Sequence, residues 1–370
     1  MKITNVTATL WEWKDIPPTR YNKEIASDES GSTEMALVRI STDGGIDGYG
    51  FLGSALYSGR KYASYVIESL KPILIGEDPL ARERLWQAMA KRTSGSNLLA
   101  VGTVDVALWD LAGRAAGLPV HRLIGSYRDS IPAYASSPVL DTPEDYAEQA
   151  VRYKEAGWHA YKMHPHCEPD KDIKICETVR RAVGDDFRLM LDAVWSYDYA
   201  EALRVGQAVQ ALGFYWYEDP LADDDIEGYV KLKSELDIPL MATEMPLNTP
   251  KDYAPWIIRE ATDFLRGDVA LKGGLTSCLK TAHTAETFGL NYEVHHGGNS
   301  HNNHANLHLA AAIKNCELFE VLLPEEAQKH GLVQDIDIDE NGLAHVPDRP
   351  GIGAEIDFEL IERNKIAELE

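Results

Sequence analysis

The chain has 370 residues, 44% of them hydrophobic, and a formal net charge of −23. That length suits two domains rather than one small core, and no apolar run approaches a membrane span. The acidic excess argues against nucleic acid and anionic membrane surfaces as partners. The four cysteines are scattered, with no C-x-x-C pair, which argues against a zinc knuckle or a disulfide scaffold and suits a reducing cytoplasm.

In chain order, MKITNVTATLWEWK reads as a strand and not as a signal peptide, for it has no uninterrupted apolar block and no small-residue cleavage site. The polar loop TRYNKEIASDESGS, from Thr19 to Ser32, has the composition of a lid. Arg20 and Tyr21 at its start are expected to contact a substrate. Next, Glu34 to Phe51 (EMALVRISTDGGIDGYGF) gives two apolar strands around a Thr-Asp-Gly-Gly turn, a hairpin signal. The segment LAVGTVDVALWDLAGRAAGLPV is a helix that should stop at Gly117, with Pro119 beyond. Strands followed by helices imply an α+β capping domain over residues 1–125.

From about Ser130 the pattern becomes periodic. Short apolar strands are expected at PAYAS, HAYKMH, RLMLDA, FYWYE, PLMATE, FLRGDV, LNYEVH and ELFEVL. Amphipathic helices separate most of them; one starts at Thr142-Pro143-Glu144-Asp145, an N-cap with proline at N1 and an acid in the first turn. The fold class this predicts is α/β, a TIM-type (β/α)7β barrel over residues 126–325. An open doubly wound sheet is the competitor, but no G-x-G-x-x-G follows a strand. Residues 326–370 are expected to return to the capping domain and complete it, with strand-like stretches at 332–346 and 356–360.

Barrel enzymes carry their chemistry at the C-terminal ends of the strands. Those ends supply Lys162 and His164, then Asp192, Glu218, Glu244, Asp268, His295 and Glu320. Asp192, Glu218 and Glu244 are spaced 26 residues apart and each follows an apolar strand. Three converging carboxylates repel one another unless a cation joins them, and an all-oxygen donor set favours Mg²⁺, or Mn²⁺ in its place, over zinc or copper. Lys162 on one side of this series and His295 on the other, with Asp268 orienting the imidazole, make two bases flanking a metal. That arrangement suits removal of a proton next to a carboxylate, with the metal holding the charge of the enediolate.

The order Lys, Asp, Glu, Glu, Asp, His, Glu on successive strand ends resembles the enolase superfamily, specifically its mandelate racemase subgroup. LVRISTDGGIDGYG, VDVALWDLAGRAAGLPVHRLIG, SIPAYAS and DVALKGGLT are similar to the family's patterns over nearly the whole chain. The resemblance implies that Asp192, Glu218 and Glu244 bind one Mg²⁺, that Lys162 is the base on one face and His295 with Asp268 the base or acid on the other, and that Glu320 meets the substrate carboxylate. His296, one residue from His295, is its register rival and otherwise a substrate contact. Two positions depart from the subgroup: His164 stands where a second lysine is usual, and Val194 where asparagine is usual. His164 is therefore a candidate substrate contact. Lys272, beside Gly273-Gly274, is read as structural or at the rim.

Two bases on opposite faces allow β-elimination of water or 1,1-proton transfer. The expected activity is dehydration of an aldonate or aldarate, with racemisation or epimerisation of a hydroxy acid as the alternative. A second alternative is a zinc-dependent amidohydrolase built on the H-x-H of His164 and His166. The expected partner is a small carboxylate, in a cytoplasmic homo-oligomer between dimer and octamer. Within HHGGNSHNNH, His301, His304, Asn299, Asn302 and Asn303 are expected either to line the pocket or to cap the next helix, and His308 to be a packed structural residue.

Overall fold

The structure, a computed structural model, describes every residue except 23–24, 28–29, 94–96 and 246–248, and no side chain at 26–27. The chain opens with β1 (Ile3–Ile16), followed by the short antiparallel pair β2 (Thr19–Arg20) and β3 (Ala26–Ser27), then β4 (Gly31–Thr42) and β5 (Asp47–Leu52). β4 and β5 form the expected hairpin, and β1 pairs with β4 along its length. Alternation along β1 buries both faces of this sheet. Val6, Ala8 and Leu10 face a core built with helices, whereas Trp11 and Trp13 join Phe51, Ile356 and Ile361 on the other side.

Eight parallel strands follow: β6 (Ser130–Ser136), β7 (Ala160–Met163), β8 (Arg188–Asp192), β9 (Trp216–Glu218), β10 (Leu240–Ala242), β11 (Phe264–Gly267), β12 (Asn291–Val294) and β13 (Phe319–Leu322). Each strand pairs with its sequence neighbour from β6 to β12, and β13 pairs back with β6. The ring is nearly closed, and β12 and β13 meet where the Tyr292 N–H donates to the Asn315 carbonyl. Thr142 and Asp145 form a capping box at the start of the helix Pro143–Glu155.

The C-terminal segment differs in detail from the sequence expectation. β14 (Leu343–His345) pairs with the barrel, covering the first half of β6, whose later residues pair with β7 and β13. Leu332 and Ile356 form only an isolated bridge, and Phe358–Arg363 is a helix. The strand that reaches the cap is β15 (Lys365–Leu369), which lies on the free edge of β1.

The helix Leu98–Ala116 locks cap to barrel. It is apolar nearly all round, with 14 buried residues, and ends at Gly117 in the left-handed conformation. Glycines let it approach closely: a Cβ at Gly50 would lie 2.5 Å from the Thr103 carbonyl oxygen, and one at Gly102 would lie 2.4 Å from that of Val269, beside Asp268. Asp105 on this helix accepts from the Thr276 N–H (2.9 Å) and hydroxyl (2.7 Å), and Asp110 accepts from the N–H groups of Tyr49 and Ile352. Asp105→Ala leaves two buried donors of Thr276 without an acceptor. Urea unfolding should show a loss of about 2–3 kcal/mol; a change under about 0.5 kcal/mol would count against this latch.

Candidate active site

Alternation along the strands decides what enters the barrel. Leu189 and Leu191 face the helices, whereas Met190 faces inward with Tyr134, Trp216 and Met241. Two residues beyond these inner side chains come Asp192 and Glu218, on the same faces. Glu244 breaks the phase, because two steps from Met241 is Thr243. The backbone of Thr243 is left-handed (φ 85°), which brings the next side chain round to the other two acids. One carboxylate oxygen from each of Asp192, Glu218 and Glu244 then lies within 4.8 Å of the others.

Beneath this cluster runs a buried charge network. Lys162 donates to Asp192 (2.8 Å) and Glu218 (3.0 Å), and its ammonium lies 2.9 Å from Glu320. Burial and the neighbouring Arg266 act to strip its proton, but the three carboxylates outweigh them and hold it well above the ordinary lysine range. Arg266 is fully buried and contacts Glu218 and Glu320, each at 2.6 Å. Burial opposes ionisation of Glu320, yet Arg266 and Lys162 keep it well below the usual carboxylate range. The sequence reading missed Arg266; its signal was an arginine two residues before Asp268 on the inward face of a barrel strand.

The two histidines at the end of β12 differ in what they present. His295 Nδ1 lies 3.0 Å from Asp268, so its proton sits on Nδ1 and the Nε2 lone pair faces the pocket, 3.4 Å from Glu244. Asp268 is itself fixed by the N–H groups of Ala270 and Leu271. His296 Nδ1 accepts from the Gly298 N–H (3.2 Å), which leaves Nε2–H as a donor, and its own N–H donates to Glu320. Burial pushes both imidazoles well below the ordinary histidine range. On the far side, His164 Nδ1 lies 2.5 Å from the Ser137 carbonyl, and its Nε2 lies 3.2 Å from Asp192.

A cavity of about 270 Å³ joins these groups, lined by His164, Asp192, Glu244, Asp268, His295, His296 and Glu320. Tyr21 lines it too, with its ring edge against His164 (5.2 Å) and its hydroxyl donating to the Leu323 carbonyl. Other expected residues lie elsewhere. Arg20 is exposed and off the cavity wall, because neighbours on an extended strand point to opposite sides and Tyr21 takes the inner one. Lys162 and Glu218 lie below the wall. His166 lines a separate depression with Asp170 and Lys174, so it shares no site with His164. Lys272 is buried, donating to the Glu244 carbonyl. Of the lid expectation, residues 23–24 and 28–29 fall outside the described residues.

The rest of the histidine–asparagine run builds the turn. Asn299 caps the helix Ser300–Ala312 and donates to the Gly53 carbonyl of the cap. Asn303 accepts from the Gly297 N–H, and Asn306 accepts from the Val269 N–H while donating to the His295 carbonyl. His301 stacks on Phe51, and His308 bridges His121 and Ile352. The sequence reading also missed Ser54, Leu56 and Tyr57, which the cap sends into the cavity wall from the loop after β5.

Residues 145–360 match the family model described as enolase C-terminal domain-like, and residues 9–125 match that of the mandelate racemase / muconate lactonizing enzyme N-terminal domain. The chain belongs to the mandelate racemase and muconate lactonizing enzyme family of the enolase superfamily. It is an enzyme of that family. The L-talarate/galactarate dehydratase of Salmonella typhimurium is 32% identical over 80% of this chain and 75% of its own. An N-succinyl-L-Arg/Lys racemase of Bacillus cereus is 30% identical over 70% of this chain and 71% of its own. A structure of D-glucarate dehydratase from Agrobacterium tumefaciens, complexed with magnesium, superposes with a TM-score of 0.90 at 36% identity, covering 99% of this chain and 100% of that one.

The three acids have the chemistry of a site for a hard divalent cation: oxygen donors only, converging, with Asp192 and Glu218 buried and Glu244 partly exposed. Without a cation, burial and then Asp192 push the Glu244 carboxyl up to about 8. A raised carboxyl favours the protonated fold, so the metal-free protein loses stability as pH rises from the ordinary carboxylate range through about 8. Cation binding displaces that proton and weakens as pH falls below about 8. Thermal melting with and without Mg²⁺ should therefore show a larger gain in Tm at pH 8.5 than at pH 6; equal gains would contradict it.

Proposed function

We propose that the protein is a Mg²⁺-dependent dehydratase of acid sugars, removing water across C2–C3 of a carboxylate. The observation that carries this reading is the pair of imidazoles, His164 and His295, presenting Nε2 into one cavity beside three converging carboxylates. Asp192, Glu218 and Glu244 would hold the Mg²⁺. When bound, it supplies positive charge to offset what builds on the substrate carboxylate as the α-proton leaves.

His295 is the base. Its neutral Nε2 faces the cavity, and Asp268 fixes the tautomer and stabilises the imidazolium that forms. His164 protonates the departing 3-hydroxyl; its Nε2 lies 3.2 Å from Asp192. Lys162, the other expected base, contacts Asp192, Glu218 and Glu320 and is absent from the described cavity wall, so in this reading it serves as a cation under the site. His296, a fixed donor, and Glu320 orient the substrate.

The test is incubation with an acid-sugar library and Mg²⁺ in D₂O, following 2-keto-3-deoxy acid formation and α-deuterium by NMR. His295→Asn should lose both elimination and exchange by about 10²–10⁴-fold. His164→Asn should lose elimination while keeping measurable α-exchange. Deuterium incorporation with inversion at C2 and no loss of water would assign the protein to the racemases instead.

A further inference from the structure

Resting on the dehydratase reading, we infer that the substrate is a monocarboxylate whose far end is uncharged and apolar, as in a 6-deoxyaldonate, and not an aldarate. The reacting end of the cavity is fixed by the strand-end acids and the two imidazoles. The remaining wall is largely hydrocarbon and aromatic. The cap contributes Ile25 and Leu56, and the loops after the barrel strands contribute Val194, Trp195, Met245 and Leu271.

Two features set this wall apart from incidental apolar lining. Leu56 and Met245 are 48% and 37% exposed, large apolar side chains held in water at the cavity rim. Val194 and Trp195 are consecutive residues with left-handed backbone (φ 46° and 59°), a conformation that costs a β-branched valine more than most residues. Three bonds hold it: the Val194 N–H donates to Asp192, the Trp195 N–H to the Asp219 carbonyl, and the Tyr197 N–H to the Pro220 carbonyl. The result presents a valine and an indole, the latter with a buried Nε1–H that has no partner among the described residues, next to a proposed metal ligand.

A second carboxylate at the far end would need a cation or several donors to replace its water. None of the described lining residues is a lysine or arginine. A net charge of −23 adds long-range repulsion to a dianion. The polar groups of the wall include Ser54, Tyr57, His296 and the Trp195 indole N–H, uncharged groups that suit hydroxyls of the middle carbons rather than a second anion. Galactarate and glucarate, named for two of the dehydratases among its relatives, are diacids, so this chain would differ from those two.

The experiment measures kcat/KM with Mg²⁺ for stereoisomer sets of three types: 6-deoxyaldonates, aldonates and aldarates. Turnover of 6-deoxyaldonates at least as fast as of the matching aldonates, with aldarates at least 100-fold slower, is the expected result. Turnover confined to aldarates overturns the inference and leaves the dehydratase reading standing. A tenfold or greater preference for the terminal hydroxyl over the methyl overturns the apolar far end. No turnover in any set overturns both. Leu56→Arg, at an exposed rim position, should raise kcat/KM for an aldarate at least tenfold relative to a 6-deoxyaldonate; an unchanged ratio counts against the inference.

Discussion

An imbalance of buried charge governs the mouth of the barrel. Asp192, Glu218, Glu244 and Glu320 turn inward there, and Lys162 and Arg266 answer them from below. Lys272, buried at the backbone carbonyl of Glu244, adds a third cationic side chain, which is still fewer than the four carboxylates. What lies under the site would thus prepare it for a divalent cation as much as the proposed ligands do. The same network engages Lys162 and Arg266, and an imidazole stands on either side of it, each with Nδ1 on an acceptor, Ser137 for one and Asp268 for the other; the acid–base roles proposed above rest on these two rings.

Much of this was legible because a barrel strand reads with a period of two. Once Met190 and Trp216 are assigned to the interior, Asp192 and Glu218 must follow. His295 was legible through its neighbour strand, which ends in Asp268. Local patterns fared as well: the turn between β4 and β5, the capping box at Thr142 and the helix stop at Gly117 need only adjacent residues. Groups whose role depends on distant segments were harder to see. Arg266 matters because Glu218 and Glu320 come to it from other strands. Leu56 and Tyr57 matter because the cap docks over the barrel, and no spacing in the sequence records where a loop will land. Arg20 and Tyr21 were indistinguishable until an extended backbone put them on opposite sides.

The histidine-rich turn shows why residue type alone misleads. It suggests a metal, yet its members do several different jobs. His295 faces Asp268, His296 is held as a donor by a backbone N–H, His301 packs on an aromatic ring of the cap, and the asparagines tie the loops together. Asn306 bonds both Val269 and His295, so it fixes the ends of β11 and β12 relative to one another. The geometry of the Asp268–His295 pair thus belongs partly to a residue that touches neither side chain.

Thr243 carries a wider implication. Its left-handed backbone shifts the third acid by one position relative to the strand's own rhythm, so this acid is placed by chain handedness and not by pleat. The equal spacing of Asp192, Glu218 and Glu244 in sequence conceals two different geometric routes to one centre. Grafting this triad onto another barrel by copying acids at matching strand positions would therefore deliver two carboxylates to the axis and send the third outward into the helix layer.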